Sequence, residues 1–382
     1  MDDEFTPEHR ILAKRVRAFA AERVDPYRAD ADRSGEYRPG MLADLAAEGL
    51  FALRIPRAHG GQELDAVSAG IVLEELAAAD LSVCYPVLNA ALVGGVLAAN
   101  GTPEQLARWL PPIAAGESIL TLALTEPGHG TDAAAIETRA VPGTGGGWVL
   151  TGEKSSIMVT AYATHSLVFA RTGEAGPRGI TAFFVDLRDP RVSRERHRDL
   201  GCRSGGRGRI VFDGLRVGAD TVVGRPGAGF VEVMRGFGVS RALIALMAIA
   251  VGRAALDCAV AHAARREAFG KRLGQFQSVA FPLVEHHTML HAARLVAYQA
   301  LRRADAGQDP RIPANMAKWW APKAAMEAVH QAVLTLGQLG WSEDGPVAQR
   351  LRDVIGLQLA DGTAAATKLV VARELLGREN AP

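Results

Sequence analysis

The stretch Leu120-Thr-Leu-Ala-Leu-Thr-Glu-Pro-Gly-His-Gly-Thr-Asp132 marks the point at which the sequence pattern changes. A short apolar run ends there at a Pro-Gly turn. Further short runs follow up to residue 217, including 165–170 and 179–185, and each is bounded by Gly, Pro or Asp. Short apolar runs between turn residues are typical of β-strands. This part of the chain therefore predicts a β domain, which we place at 119–225.

The segments on either side are predicted to be helical. Residues 6–115 are mostly helix formers, and Thr6-Pro-Glu8 has the composition of a helix start. From 229 to 378 helical periodicity returns, with room for four helices of about 25 residues. The predicted fold class is α+β and mainly α, with a helical domain at 1–118 and a C-terminal helical bundle at 226–382.

Composition and charge exclude several classes of protein. The 382 residues include 43 Lys and Arg against 42 Asp and Glu, so the formal net charge is only +1 and provides no basic field that would attract nucleic acid or anionic lipid. The N-terminus is acidic, unlike a signal peptide, and the longest uncharged apolar run, 242–252, is shorter than the roughly 20 residues that span a bilayer. Cys84, Cys202 and Cys258 have no metal-binding spacing, and their odd number argues against a disulfide framework. We expect a soluble, cytoplasmic protein without nucleic-acid or membrane partners.

Two further patterns each have a functional and a structural interpretation. The glycines of Pro142-Gly-Thr-Gly-Gly-Gly147 could bind a dinucleotide, but no helix follows them, so we expect a hairpin turn. His287 and His291 have the i, i+4 spacing of a zinc site next to Glu285-His286. Because no third ligand accompanies them, we expect polar residues of a long helix and no metal.

Five short motifs, in order along the chain, carry a resemblance to a known family. They are Thr125-Glu-Pro-Gly-His-Gly-Thr-Asp132, Thr151-Gly-Glu-Lys154, Leu200-Gly-Cys-Arg203, Arg266-Glu-Ala-Phe-Gly270 and Arg352-Asp353. Each is weak alone, but together they resemble the acyl-CoA dehydrogenase family over nearly the whole chain. The resemblance implies a β-barrel-like middle domain between the N-terminal helices and a C-terminal four-helix bundle. From the residues themselves, we also expect a helix to end at Phe269-Gly270.

The resemblance implies a homotetramer with FAD between the middle domain and the bundle, and an electron acceptor such as electron-transfer flavoprotein. The cofactor-binding residues would be Leu124, Thr125, Gly130, Thr131, Ser156, Met158, Arg266, Phe269, Gly337, Gln338 and Thr363. Arg266 and Phe269 would reach the FAD of a neighbouring subunit, since a guanidinium suits a pyrophosphate. Met158 replaces the usual Thr or Ser near flavin N5, so that hydrogen bond would come from a backbone N–H or be absent.

The resemblance also implies a reaction in which a carboxylate removes the α-proton of an acyl thioester and the β-hydride passes to flavin N5. The base would be Asp361, which stands where the family usually has Glu and is one methylene shorter. The substrate contacts would be Thr131, Arg241, Ala360 and Gly362. Ser240 occupies the position of an alternative Glu base, so no competing base is expected.

The small residues Ala360 and Ser156 replace bulky aromatic residues of many family members and would enlarge the space at the reacting carbons. With Asp361-Gly-Thr363, they resemble cyclohexanecarboxyl-CoA and cyclohexenecarboxyl-CoA dehydrogenases. The leading hypothesis is therefore dehydrogenation of an alicyclic acyl-CoA. An alternative is an acyl group on an acyl-carrier protein, which has the same pantetheine arm. A third, from another class, is a non-catalytic flavin-fold binding protein.

Overall fold

The computed structural model describes residues 5–382, except for the side chains of residues 232, 233 and 235. Its first part is helical, as predicted. The first helix begins at the predicted place, because the Thr6 hydroxyl accepts a hydrogen bond from His9 N–H at 3.2 Å and caps it. The N-terminal helices are α1 (Pro7–Arg23), α2 (Arg28–Ser34), α3 (Met41–Ala47), α4 (Ala66–Ala79), α5 (Cys84–Asn100) and α6 (Pro103–Ala114).

The middle part forms an eight-stranded sheet, which confirms the predicted β domain. Its strands are β1 (Leu120–Ala123), β2 (Arg139–Pro142), β3 (Trp148–Ile157), β4 (His165–Arg171), β5 (Ile180–Asp186), β6 (Val192–Arg196), β7 (Gly208–Val217) and β8 (Val222–Val223). The spatial order is β6-β7-β3-β2-β4-β5-β8, and β1 pairs in parallel with β4. Phe183 and Phe212 are buried in a hydrophobic core that belongs to this sheet alone.

Residues 142–147 connect the antiparallel strands β2 and β3, so the hairpin interpretation is confirmed. Gly143 N–H donates to Gly147 O at 2.8 Å and closes the turn. Gly145 and Gly146 have φ values of 88° and 86°, in the left-handed region that glycine adopts without steric cost.

The C-terminal part is a helical bundle. Its elements are α7 (Gly229–Ala263), a hairpin of β9 (Glu267–Ala268) and β10 (Lys271–Arg272), α8 (Gln277–Asp305), α9 (Arg311–Leu336), α10 (Gln338–Trp341), α11 (Ala348–Gly356) and α12 (Ala364–Leu376). Three long helices match the prediction, but a fourth of similar length does not form. The chain turns at Gly337, where φ is 59°, and again at Asp361 and Gly362, so shorter helices take its place.

The helices α7 and α9 lie side by side and run in the same direction. Near their starts, Arg241 Nη1 donates to Asn315 Oδ1 at 3.1 Å. Further along, a Cβ added to Gly252 would lie 3.1 Å from Ala325 Cα, so the two backbones approach closely there. At about 1.5 Å per residue, the Arg241–Asn315 contact is separated by about 30 Å from the C-terminal ends of the two helices at Ala263 and Leu336.

Two helical segments, Leu81–Asn100 and Gly229–Ala263, are long and apolar enough to cross a membrane by length and composition. In the fold, 78% and 72% of their most apolar windows are buried. Helices in the core of a globular protein have the same properties, and α7 packs against α4, α8 and α9.

Two of the sequence motifs meet where the middle and C-terminal domains join. Cys202 N–H donates to Asp353 Oδ1 at 2.5 Å, and Arg352 Nη1 donates to Asp32 Oδ1 of α2 at 2.9 Å. A Cβ at Gly201 would lie 2.4 Å from the backbone of Arg352, so the contact requires glycine. These motifs therefore fix the three parts of the chain relative to one another.

Candidate active site

Asp361 lies on the turn between α11 and α12. Its φ of 51° is uncommon for a residue with a side chain, and Gly362 follows with a φ of 100°. Thr363 then caps α12, because its hydroxyl accepts a hydrogen bond from Ala366 N–H at 3.3 Å. The turn thus presents the Asp361 side chain in a defined direction.

Side chains of α7 and α9 hold this turn. Ser240 Oγ donates to Asp361 Oδ2, and Ser240 is 1% exposed. Arg241 Nε donates to the backbone carbonyl of Asp361 at 3.1 Å, while its Nη1 reaches Asn315. The sequence predicts Arg241 as a substrate contact, but two of its donors are used within the chain to hold the turn.

Lys318 of α9 holds the same turn through backbone carbonyls. It is 1% exposed, and its Nζ donates to Leu357 O at 2.9 Å and to Gly362 O at 3.0 Å. Burial lowers the pKa of Lys318 to about 8, and the charge of Asp361 opposes this change. Burial also lowers the pKa of Arg241, again against the charge of Asp361. Two cations therefore lie close to the proposed base.

A buried ion pair fixes the loop that begins with Leu124 and Thr125. Lys154 is 0% exposed, and its Nζ donates to Leu124 O at 2.9 Å and to Glu126 Oε1 at 2.8 Å. Burial lowers the pKa of Lys154 to about 8, although Glu126 opposes it. For Glu126, burial is outweighed by Lys154 and by backbone donors such as Glu137 N–H, so its pKa lies below the ordinary value. The motif Thr-Gly-Glu-Lys therefore supports this loop.

Ser156 and Met158 lie beside the same loop, at the end of β3. Ser155 N–H donates to Thr125 O at 2.9 Å and joins the strand to it. Ser156 is exposed and has a φ of 62°. The Met158 side chain points towards Gly205, where an added Cβ would lie 2.6 Å from its Cε. Ser156 is therefore exposed beside the loop, whereas the Met158 side chain is turned towards Gly205.

The remaining predicted cofactor residues lie at the far end of α7 and α9. The sequence predicts that a helix ends at Phe269-Gly270, but α7 ends at Ala263 and these two residues form the turn between β9 and β10. Positive φ values of 52° and 75° at Phe269 and Gly270 rule out a helix there. Phe269 is 97% exposed and Arg266 is also exposed. The residues Gly337 and Gln338 follow the end of α9.

The structure thus places the candidate site residues of the bundle, predicted and newly found, in two groups. The base end consists of Ser240, Arg241, Asn315, Lys318 and Asp361. The hairpin end consists of Arg266, Phe269, Gly337 and Gln338, about 30 Å away along the helices. One chain therefore does not bring these two groups together.

Comparison with known proteins identifies the family. Residues 6–117, 121–215 and 227–376 match the N-terminal, middle and C-terminal domains of acyl-CoA dehydrogenase, in that order. The chain belongs to the acyl-CoA dehydrogenase family.

Relatives match over almost their whole length. The chain is 33% identical to the mitochondrial short-chain specific acyl-CoA dehydrogenase of Bos taurus, over 98% of this chain and 91% of that one. It is 32% identical to subunit CarC of the caffeyl-CoA reductase–Etf complex of Acetobacterium woodii, covering 97% and 99%. The structure of butyryl-CoA dehydrogenase from Megasphaera elsdenii superposes with a TM-score of 0.95 at 29% identity, over 98% and 100% of the two chains.

The predicted enzyme class and cofactor are confirmed by this membership: the protein is an FAD-dependent oxidoreductase that acts on CH–CH bonds. The residues present suit FAD. Thr131 and Ser156 offer exposed hydroxyls, and Arg266 offers an exposed guanidinium for a pyrophosphate. Nothing lies within 4 Å of a Cβ added at Gly130 or Gly337, so a cofactor could contact the backbone at both places. Bound FAD supplies the hydride acceptor of the reaction.

The predicted histidines are on α8 and belong neither to the base end nor to the hairpin end. His286 and His291 are partly exposed and His287 is exposed. Over residues 5–382, no group of three or more His, Cys, Asp and Glu side chains could hold a metal ion.

Several functional side chains were not predicted from the sequence. Lys318 carries no motif, and its role depends on a contact with a turn more than 40 residues later. Asn315 carries no motif either, and it acts through Arg241, 74 residues earlier. Glu126 looks like a turn residue in the sequence, but it is 6% exposed and paired with Lys154. The sequence marks Ser240 only as the position of an absent alternative base, whereas it contacts Asp361. The signal that the sequence offers for Ser240 is a polar residue within the largely apolar first part of α7.

Proposed function

We propose that the protein dehydrogenates an alicyclic acyl-CoA, such as cyclohexanecarboxyl-CoA or cyclohexenecarboxyl-CoA, with Asp361 as the base that takes the α-proton. The observation that carries this proposal is the contact between Asp361 Oδ2 and Ser240 of α7. It draws a carboxylate that is already one methylene shorter than the usual Glu towards the helix. The retracted base leaves more room at the α and β carbons.

Two residues expected near the reacting carbons are also small. Ala360, immediately before Asp361, ends in a methyl group, and the family resemblance assigns Ser156 to a position often occupied by a large aromatic residue. A ring that bears the thioester directly is thick at both reacting carbons, whereas a straight chain is not. Small residues at these two positions support a ring as the substrate.

The turn also provides for activation of the thioester. The α-proton of a thioester is too weakly acidic for a carboxylate unless the carbonyl oxygen is stabilised by hydrogen-bond donors. Among the described residues, the backbone N–H of Asp361 donates no hydrogen bond. This N–H is thus free to bind the thioester oxygen while the Asp361 carboxylate removes the proton.

The assembly we propose is a homotetramer that passes electrons to an electron-transfer flavoprotein. Phe269 is 97% and Trp341 80% exposed, an unusual exposure for large apolar residues of an isolated chain. A neighbouring subunit would cover them and place Arg266 on its FAD. The name of the CarC relative includes an Etf complex, which supports the proposed acceptor. Cys84, Cys202 and Cys258 are unpaired, in agreement with the proposed cytoplasmic location.

Anaerobic titration of the purified yellow protein tests the substrate. We expect cyclohexanecarboxyl-CoA or its 1-ene to bleach the flavin faster than butyryl-CoA or octanoyl-CoA. The linear substrates are the relevant competitors because two relatives are named for short-chain acyl groups. A tenfold advantage of a linear substrate, about 1.4 kcal/mol in transition-state stabilisation, would contradict the ring proposal.

The same titration distinguishes the other hypotheses. Cyclohexanecarboxyl thioesters of acyl-carrier protein form a second set of substrates. Faster bleaching by the carrier-protein form than by the CoA form would replace acyl-CoA with a protein-bound substrate. A flavin that no thioester reduces would support the non-catalytic binding protein.

A further inference from the structure

We propose that Ser240 is a positioning residue for the reaction: it fixes the direction of the Asp361 carboxylate. This inference rests on the proposed function, in which Asp361 is the base. It adds a residue of α7 that contacts the base and not the substrate.

The contacts of the turn divide into two kinds. Arg241 and Lys318 donate to backbone carbonyls, at Asp361 and at Leu357 and Gly362. They therefore fix the path of the chain and leave the carboxylate of Asp361 free to rotate. Ser240 is the residue that donates to the carboxylate itself, through Oδ2. Removing the Ser240 hydroxyl should release the side chain while the turn stays in place.

Burial makes this contact specific. Ser240 is 1% exposed and lies in α7 among apolar residues, so water does not readily replace its hydroxyl. The Ser240 Oγ also lies 121 positions away in sequence from its acceptor, so the contact depends on the packing of α7 against the turn. A hydrogen bond from a neutral donor to a carboxylate is stronger than one between neutral groups.

The two oxygens of Asp361 then have different roles. Oδ2 accepts the hydrogen bond of Ser240, whereas Oδ1 accepts none from the described residues. In the proposed step, the α C–H bond breaks and its proton forms an O–H bond with Oδ1. The electron pair of that C–H bond forms the new double bond, and FAD, when bound, would supply the acceptor for the β-hydride. Ser240 keeps its proton throughout and holds Oδ1 towards the substrate.

The test is kcat and KM for flavin reduction in Ser240→Ala, measured in the FAD-loaded enzyme with its best acyl-CoA. We expect kcat to fall about 10- to 100-fold, as for the loss of a hydrogen bond to a charged group, with little change in KM. Ser240→Thr keeps the hydroxyl and should restore most of the rate.

Two further variants distinguish a positioning role of Ser240 from a purely structural effect of its substitution. Ser240→Cys keeps the size of the side chain, but a thiol is a weak hydrogen-bond donor. Its rate of flavin reduction should therefore lie between those of the alanine variant and wild type. This variant keeps the test decisive even if the alanine variant folds poorly. Ser166→Ala removes a hydroxyl that is equally buried but has no partner, and it should leave both kcat and KM unchanged. A wild-type kcat in Ser240→Ala would overturn the proposal. So would an equal loss of rate in Ser166→Ala.

Combination with Asp361→Asn separates this proposal from the proposed function. If both are right, the double variant reduces flavin no more slowly than Asp361→Asn alone, since Ser240 acts only through the carboxylate. If Asp361→Asn keeps the wild-type rate, the base assignment itself is wrong. If Asp361→Asn is slow and adding Ser240→Ala slows it by the same factor as in wild type, the base is right and the role of Ser240 is refuted.

Discussion

At the base end of α7, Ser240 is 1% exposed and Lys318 of α9 is equally buried, and the polar groups contact one another within the chain. At the hairpin end of the same helices, Phe269 is 97% exposed and Trp341 is 80% exposed. The two ends are built from the same pair of parallel helices. They differ in that the polar groups of the base end make their contacts within one chain, whereas large apolar side chains of the hairpin end are exposed.

Because of this difference, we expect substitutions at the two ends to have different effects. A polar network that is closed within one chain should control the chemical step without affecting assembly. An exposed hairpin that carries Arg266 should control retention of the cofactor and contact with another chain, and it should have little effect on the rate of loaded enzyme. The predictions below test this division, beginning with the largest expected effect.

The largest effect is expected at the base. Asp361→Asn keeps the size of the side chain and the backbone N–H but removes the basic oxygen. We expect acyl-CoA binding to persist and flavin reduction to slow by about 10²–10⁴-fold, the usual loss for a general base. Stopped-flow bleaching of the flavin measures this rate. The matched control is Asp257→Asn, an exposed carboxylate further along α7, which should have the wild-type rate.

Asp361→Glu sharpens the same test. If the ring requires the shorter base, the extra methylene should slow the cyclic substrate and help a linear one. Near wild-type reduction in Asp361→Asn would move the base elsewhere and support a non-catalytic role for this turn.

The second effect is expected at the hairpin end. Arg266→Ala removes a guanidinium that would pair with the pyrophosphate of a neighbouring subunit's FAD, so FAD affinity should fall about 10- to 100-fold. The rate of flavin reduction in protein saturated with FAD should change little. Equilibrium dialysis or the loss of yellow colour during gel filtration measures retention.

Arg265→Ala is the matched control, because Arg265 is also exposed but its Nε donates to Ala261 O of α7 at 3.1 Å. It should retain FAD as wild type does. Equal loss of FAD in both variants would indicate a general effect of charge and not a specific contact. A monomer that binds FAD tightly would refute the difference between the two ends.

The sequence predicts much of the fold because the signals for it are local. The cap at Thr6, the glycine turn at 142–147 and the alternation of strand and turn residues are readable from neighbouring residues. The number of long C-terminal helices is predicted less well. The interruption at Gly337 depends on a backbone conformation that one glycine permits but does not require.

The sequence predicts less of the site than of the fold, for the same reason. Motifs locate Asp361 and the loop at Thr125, since these residues occur in characteristic short patterns. The contacts of Ser240 with Asp361 and of Lys154 with Glu126 join residues 121 and 28 positions apart. Such contacts arise only when the elements pack. The position of Arg266 about 30 Å from the base end likewise follows from the direction of α7 and α9 and not from sequence spacing.

The smallest effect concerns the buried cation that distinguishes the base end. Burial lowers the pKa of Lys318 to about 8 from 10.5. Between these values the folded chain has released a proton that the unfolded chain still holds, so unfolding takes up a proton and stability rises with pH. Below about pH 8 the folded and the unfolded chain both hold the proton. Burial of the charge then lowers the free energy of unfolding by an amount that does not change with pH. Lys318→Met should therefore remove a rise of up to about 1.4 kcal/mol per pH unit between about pH 8 and 10.

Thermal unfolding of wild type and variant at several pH values from 7 to 10 measures this difference, because contributions of unchanged groups cancel between them. Lys271→Met at the hairpin end is the matched control: Lys271 is exposed and lies over the Phe276 ring at 4.1 Å. Its substitution should leave the pH dependence of stability as in wild type. If Lys318→Met and wild type have parallel pH profiles, Lys318 keeps its proton in the folded chain over this range. The two ends would then differ in burial but not in the protonation of their cations.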